Sequence, residues 1–261
     1  MSKLPSLVEW LQAGAHFGHR TSRWHPKMKS YLFGERGGFH IIDTEQTLAK
    51  VEEAAAFVKG VVARGGIVLF VGTKHQAKAI VEQYAKRCHM PYVTERWLGG
   101  TLTNFPQVRR SVKQLMKYKD QEEKGELRKY TKKEQLMIRR QIADMEHKLG
   151  GIQEMERVPD AIFVCDLRCD KTAIAEALSS QIKIIAICDT NGNPTHVDHV
   201  IPANDDSVKT IELICKVLCE SVEEGAVEAA QQNQIKKEEA APVPAQKSSQ
   251  SFTSTSKEEA N

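Results

Sequence analysis

Two histidines and a scatter of acids are the first residues of this 261-residue chain that could hold a metal. His16 and His19, in the string HFGH, stand three apart and would share one face of a helix. With Asp189 or Asp205 they would supply nitrogen and oxygen ligands suited to zinc or another divalent ion. The competing reading packs His16 in the core and sets His19 against a carboxylate or RNA. A phosphate site is the second chemical candidate. Gly72-Thr73-Lys74 lies between an apolar run and a helical stretch, where backbone N–H groups and a cation could meet phosphate. Neither the P-loop nor the dinucleotide glycine pattern is present, so the triplet reads more simply as a turn opening a basic helix that can touch RNA phosphate. Asp166, Asp189, Asp205 and Asp206 fall near strand ends, where catalytic acids sit. Caps and turns explain them: Thr190 and Asn-Gly-Asn-Pro follow Asp189, and a helix follows Asp205-Asp206. The sequence holds no nucleophile elbow and no H-E-x-x-H. Its six cysteines include no C-x-x-C pair and read as small buried residues in a reducing compartment. The chain is therefore expected to have no enzymatic activity, to require no cofactor and to take no small-molecule substrate.

Alternating strands and helices must position these residues. PSLVEWLQAG reads as a short helix capped by Ser6, with Glu9 three residues later and Gly14 ending it. The Gly-rich stretch that follows shows little periodicity until FHIID, a candidate strand. Thr44 caps a helix from Glu45 to about Arg64, with Leu48, Val51, Ala55, Val58 and Val62 on one face, and Gly65-Gly66 ends it. IVLFV, a helix over 74–89 and Tyr92-Val93 make one β-α-β unit. AIFVC (161–165), a helix from about Lys171 to Ser180 and IIAIC (184–188) make another. His199-Val200-Ile201 and a helix from about Asp206 to Glu223 complete the set. Strands that are apolar throughout, alternating with helices, indicate an α/β fold with a parallel sheet covered on both faces.

The stretch from Asn104 to Gly150 is helical, charged and strand-free. Val108, Val112 and Leu115 step by four and three, and Ile138, Ile142, Met145, Leu149 and Ile152 continue that alternation. Such steps mark a coiled-coil seam on each of two helices, with a turn near Gly125. Residues 1–104 and 151–228 are thus expected to form the α/β domain, with 1–40 as a basic extension. Residues 105–150 form an inserted antiparallel helical hairpin that projects from it. In 229–261 the only large apolar residues are Ile235, Val243 and Phe252, and a disordered tail is expected. No apolar run approaches membrane-spanning length and the N-terminus lacks a secretory h-region, so a cytoplasmic protein without a membrane partner is expected.

Charge is polarised along the chain. Residues 1–157 hold 28 Lys/Arg against 17 Asp/Glu, a net of +11, whereas 158–228 hold 5 against 13, a net of −8. The basic part suits a polyanion and the acidic part suits solvent or a basic partner. RTSRWHPKMKSY interleaves Arg20, Arg23, Lys27 and Lys29 with Trp24, His25 and Tyr31. Cations seat a phosphate backbone while rings stack on unpaired bases. Arg96 and Asn104 in RWLGGTLTNF extend this set, and Asn104 is also placed to cap the next helix. Arg109, Arg110, Lys113 and Lys117 follow as a phosphate track. A second cluster, Arg128, Lys129, Lys132 and Lys133, lies near the hairpin turn. The contacts expected for RNA are Arg20, Arg23, Trp24, His25, Lys27, Lys29, Lys74, Arg96, Asn104, Arg109, Arg110 and Lys113.

HFGHRTSRWHPKMKSYLFGERGGFHIIDTEQT, FVGTKHQA, RWLGGTLTNF, LGGI, VPDAIFVCD and AICDTNGNP…VDHVIPANDD, in this order over about residues 4–224, resemble bacterial small-subunit ribosomal protein number two. The resemblance implies a flavodoxin-like (Rossmann-like) three-layer parallel sheet with an inserted antiparallel coiled-coil hairpin. It implies a ribosome-bound protein that contacts small-subunit rRNA between head and body on the solvent side, beside neighbouring small-subunit proteins. It also implies help in recruiting the large multi-OB-fold ribosomal protein number one. Archaeal and eukaryotic relatives lack this form of insert, so 105–150 points to the bacterial type. The tail from 229 is not part of the shared pattern.

Overall fold

The computed structural model describes residues 4–239, with side chains through 232. Helix α1 (Leu7–Ala13) starts at Ser6, whose hydroxyl accepts from the Glu9 N–H while the Glu9 carboxylate accepts from the Ser6 N–H (2.6 Å). Next comes a three-stranded antiparallel sheet of β1 (Phe17–Arg20), β2 (Leu32–Arg36) and β3 (Phe39–Ile42), in the order β1-β3-β2. Only the last of these strands is expected from the sequence pattern. The cue to the others is Gly37-Gly38: with φ of +60° and +81°, these two residues turn β2 directly into β3, a two-residue hairpin that glycine favours.

The main sheet follows the expected alternation. Helix α2 (Thr44–Ala63) leads to β4 (Val68–Val71), α3 (His75–Arg87) and β5 (Tyr92–Val93). Helices α4 (Phe105–Glu123) and α5 (Lys132–Leu149) precede β6 (Ala161–Val164), α6 (Lys171–Ser179), β7 (Lys183–Cys188), β8 (His199–Pro202) and α7 (Val208–Glu239). The five strands pair in parallel in the order β5-β4-β6-β7-β8. Alternate residues of each strand feed opposite faces, which is why the strands are apolar throughout. Val68, Phe70, Phe163, Ile185 and Ile187 join one core with α2, α3 and α7. Leu69, Val71, Ile162, Val164 and Ile184 join the other with α6, Trp97 and the bases of α4 and α5. Phe70 and Phe163 meet edge-on at 5.6 Å on the first face.

Helices α4 and α5 run alongside each other in opposite directions. Lys119 pairs with Glu146, and Arg139 with Glu122 at 2.9 Å. Val108, Val112, Leu115, Ile142 and Leu149 of the predicted stripes are buried.

Three local expectations need correction. Asp43, not Thr44, caps α2, its carboxylate accepting from the Glu45 N–H at 3.0 Å. Asn104 occupies the cap position of α4 but its side chain makes no capping bond; Pro106 in the first turn leaves one N–H fewer to satisfy. Helix α7 does not stop near Glu223 or at 228 but continues as helix to Glu239. Its Ala, Glu, Gln and Lys residues favour helix without needing an apolar face, a factor that weighing hydrophobic burial alone ignores. The rest of the predicted disordered tail, 240–261, lies outside the described residues.

Gly151, in the LGGI string, sits where a Cβ would run into the Tyr92 carbonyl oxygen and within 2.8 Å of its ring. The closest of these atoms belongs to the main chain of β5, which cannot swing aside as a side chain can. Gly151→Ala is expected to destabilise the chain by ~1–3 kcal/mol in urea titration, with β5 the segment displaced.

Candidate nucleic-acid interface

The basic N-terminal segment is fastened to the carboxyl ends of β7 and β8. Thr190, fully buried, accepts from the His19 N–H through its hydroxyl (2.9 Å) and from the His25 N–H through its carbonyl (2.7 Å). Asn204 donates from its main chain to the Ala15 carbonyl (3.0 Å) and from its side chain to that of Gly14 (3.1 Å). Ile42 N–H donates to the His16 carbonyl at 2.8 Å. Anchored in this way, the segment turns Arg20, Arg23, Lys27 and Lys29 outward, all exposed, with Trp24 and His25 half-buried among them. Trp24 lies against His40 (5.1 Å between centroids), Arg20 sits 5.9 Å above the Phe39 ring, and Lys27 donates to the Thr195 hydroxyl at 2.6 Å. Phe33 of β2 is 80% exposed.

Lys74 faces the other way. Its ammonium lies 2.6 Å from both Asp205 and Asp206 and 3.3 Å from Asp166, with the side chain largely enclosed. Burial alone would lower its pKa, but those carboxylates hold it well above the usual lysine range. The expectation that Lys74 stands ready for phosphate is therefore at odds with a cation already surrounded by acids. Asp205 is itself pushed up to about 7 by burial and by Asp189 and Asp166, against the pull of Lys74. Asp170 is pushed up to about 6 by burial; one of its oxygens accepts from the Thr73 hydroxyl (2.8 Å) and the other has no partner among the described residues. This is the edge where doubly wound sheets hold nucleotide phosphates. Here it carries a surplus of buried carboxylates, which repel phosphate.

The structure does not assemble the expected metal set. His19 lies in β1 and His16 just before it, so the three-residue spacing that aligns side chains on a helix separates them here. His19 Nδ1 stands 3.1 Å from Asp189, and this hydrogen bond, opposed by burial, raises the His19 pKa. The His16 ring lies tilted against Phe17, 4.0 Å between centroids, and burial lowers its pKa, while Asp205 holds Lys74. Among the described residues no group of three His, Cys, Asp or Glu is placed to hold a metal ion.

The remaining sequence-predicted residues divide. Arg96 is exposed at the start of the RWLGGTLTNF loop, Asn104 is exposed at its end, and Arg110 and Lys113 are exposed on α4. Arg109 is engaged within the chain, its guanidinium donating to the Met155 carbonyl at 2.7 Å. Two further residues escape sequence reasoning. Arg168 shares a recess of about 450 Å³ with Arg23, Trp24 and Asn191; it comes from the acidic half of the chain and has no nearby basic run to flag it. Glu176 of α6 is the other. Its buried carboxylate accepts from the Trp97 ring N–H (3.0 Å), the Gly100 N–H (2.8 Å), the Leu102 N–H (3.0 Å) and the Thr103 N–H (3.4 Å). Burial would raise its pKa, yet these donors bring it below the usual range. The signal is in the sequence: an acid on the face of α6 that also carries buried Ala173 and Ala177.

A family model described as ribosomal protein S2 matches residues 10–225, helices α4 and α5 included. The chain belongs to the ribosomal protein S2 family. Members of this family are structural, non-enzymatic ribosome components, which agrees with a strand-end cluster that repels phosphate. Relatives named small ribosomal subunit protein uS2 include one from Dehalococcoides mccartyi, 46% identical over 217 residues that cover 83% of this chain and 89% of that protein. Another, from Salinibacter ruber, is 44% identical over 236 residues covering 90% of this chain and 74% of the relative. In this S2-family chain, then, the anchored basic segment and the loop held by Glu176 both fall within the matched region.

Proposed function

We propose that this chain is a structural component of the small ribosomal subunit and binds small-subunit rRNA through the surface built on residues 17–40. One observation carries the reading: Thr190 and Asn204 lock down a segment whose cations and rings face outward. Cations on a fixed scaffold seat ribose-phosphate, and Trp24, His25 and Phe33 offer ring faces for unpaired bases. Arg96, Asn104, Arg110 and Lys113 extend this surface to the base of α4. In this reading the protein works in the cytoplasm, ribosome-bound, and takes part in translation.

The fold is read as flavodoxin-like, supported by its five parallel strands between two helical layers. The α4–α5 pair is read as a coiled-coil hairpin, supported by the four-and-three apolar steps and the cross-helix ion pairs. Neighbouring small-subunit proteins would meet this arm and the acidic part of the chain. Help in recruiting the multi-OB-fold protein number one follows from the family resemblance and has its support there.

The test is binding of the Arg20→Ala, Arg23→Ala, Lys27→Ala, Lys29→Ala quadruple variant to small subunits lacking this protein, between low and high salt. The expected result is weaker binding, with the salt slope reduced by ~0.7–0.9 for each phosphate no longer neutralised by a side chain. Unchanged affinity together with an unchanged slope would remove the assignment.

A further inference from the structure

A groove of about 360 Å³ lies between α6 and the 191–197 segment, and it shares Arg168 and Asn191 with the recess beside Trp24. Its floor is apolar, made by Leu167, Ile174, Leu178 and Val197. Leu178 is 40% exposed there, a large apolar side chain left facing the opening. Arg168 and Lys171 stand at the rim. Residues 158–228 hold only 5 Lys/Arg against 13 acids, yet two of those five line this groove and no described acid does. Neither side chain pairs with a carboxylate among the described residues. A flat apolar slot with a cationic rim, continuous with a cation-and-ring surface, has the form of a site for a splayed base.

We propose that this groove receives one unstacked nucleotide of the rRNA, with the base on the apolar floor and the phosphate met by Arg168 and Lys171. The inference rests on the rRNA-binding reading above and extends the interface into the half of the chain that its net charge assigns to other partners. Asn191, at the shared edge, is placed to meet the polar edge of the base.

Ala175 is exposed and lines the groove, so Ala175→Trp fills it from the outside. Its affinity for small subunits lacking this protein is expected to fall ~5- to 100-fold at fixed salt, the range for removing one stacked base, with no change in salt slope. Arg168→Ala with Lys171→Ala is expected to lower the slope by ~1, since both cations meet the one phosphate of that nucleotide. A photo-crosslinker in place of Leu178 is expected to label rRNA. Full affinity in folded Ala175→Trp, or crosslinks to protein alone, would overturn the proposal. Should Ala175→Trp fail to fold on melting, the double variant at two exposed positions decides, and an unchanged slope there overturns it. If the quadruple variant of the 17–40 surface binds weakly while the groove variants bind normally, the groove assignment alone fails. If the quadruple variant binds normally, the rRNA reading fails with it.

Discussion

Lys74→Met is expected to lower the unfolding free energy by ~3–5 kcal/mol near pH 8, because it removes one partner from a buried ionic cluster and leaves the others uncompensated. Asp166 and Asp205 are almost completely buried, with Asp189 beside them, and only Asp206 reaches solvent. The cost should depend on pH with a definite sign. Asp205 already binds its proton more tightly folded than unfolded, at about 7, and without Lys74 that value rises further. A group whose pKa is raised by folding contributes stability that is complete below its unfolded value and is lost as pH climbs through the folded one. The deficit of Lys74→Met should therefore be small near pH 5 and grow through neutrality. Urea titrations at several pH values test this, and a deficit that stays constant from about pH 5 to pH 8 would contradict the carboxylate account. Parent-chain stability should itself fall from about pH 5 to pH 7, since Asp205 and Asp170, the latter at about 6, both lose protons held more tightly in the folded state.

Glu176→Gln ranks second, with an expected loss of ~2–4 kcal/mol, since removing a buried acceptor leaves its donors unsatisfied. The amide keeps one acceptor oxygen and turns an N–H₂ toward the main-chain N–H groups that the second carboxylate oxygen now receives. Leu102 and Thr103 lose their partner while Trp97 and Gly100 keep one. Amide hydrogen exchange should accelerate at Leu102 and Thr103 before the rest of the chain opens. Because the 96–104 loop carries Arg96 and delivers the chain into α4, subunit binding should weaken as well. A variant with parental stability and unchanged exchange in this loop would show that Glu176 does not order it. Glu176 contributes stability above its unfolded pKa and loses it as pH falls through the lower folded value, so the difference between parent and variant should shrink in acid.

Much of the fold is legible because its signals are local. Apolar runs such as VLFV and AIFV can be buried on both faces only as interior parallel strands, and all five main-sheet strands appear within a residue or two of their expected positions. The Ser6 and Glu9 capping box is likewise a short-range pattern that the structure reproduces. What fails is of another kind. The pairing of β1, β2 and β3 depends on an exposed, weakly periodic segment finding Thr190 and Asn204 far along the chain. The histidine spacing carries meaning only on a helix, and the segment is a strand.

The α/β alternation, helices α4 and α5, the basic character of the first 157 residues and the family can all be read from the chain without its structure. Periodicity and charge density belong to neighbouring residues and survive without knowledge of the rest of the chain. Long-range contacts, by contrast, set which cations remain exposed. Lys74 and Arg109 look in the sequence like Arg20 and Arg110, yet Lys74 is enclosed among carboxylates and Arg109 is tied to the Met155 carbonyl, while the other two are exposed. The physical reason is that a charge is committed by whatever folding brings within a few ångströms of it, and for Lys74 that partner lies 131 residues away.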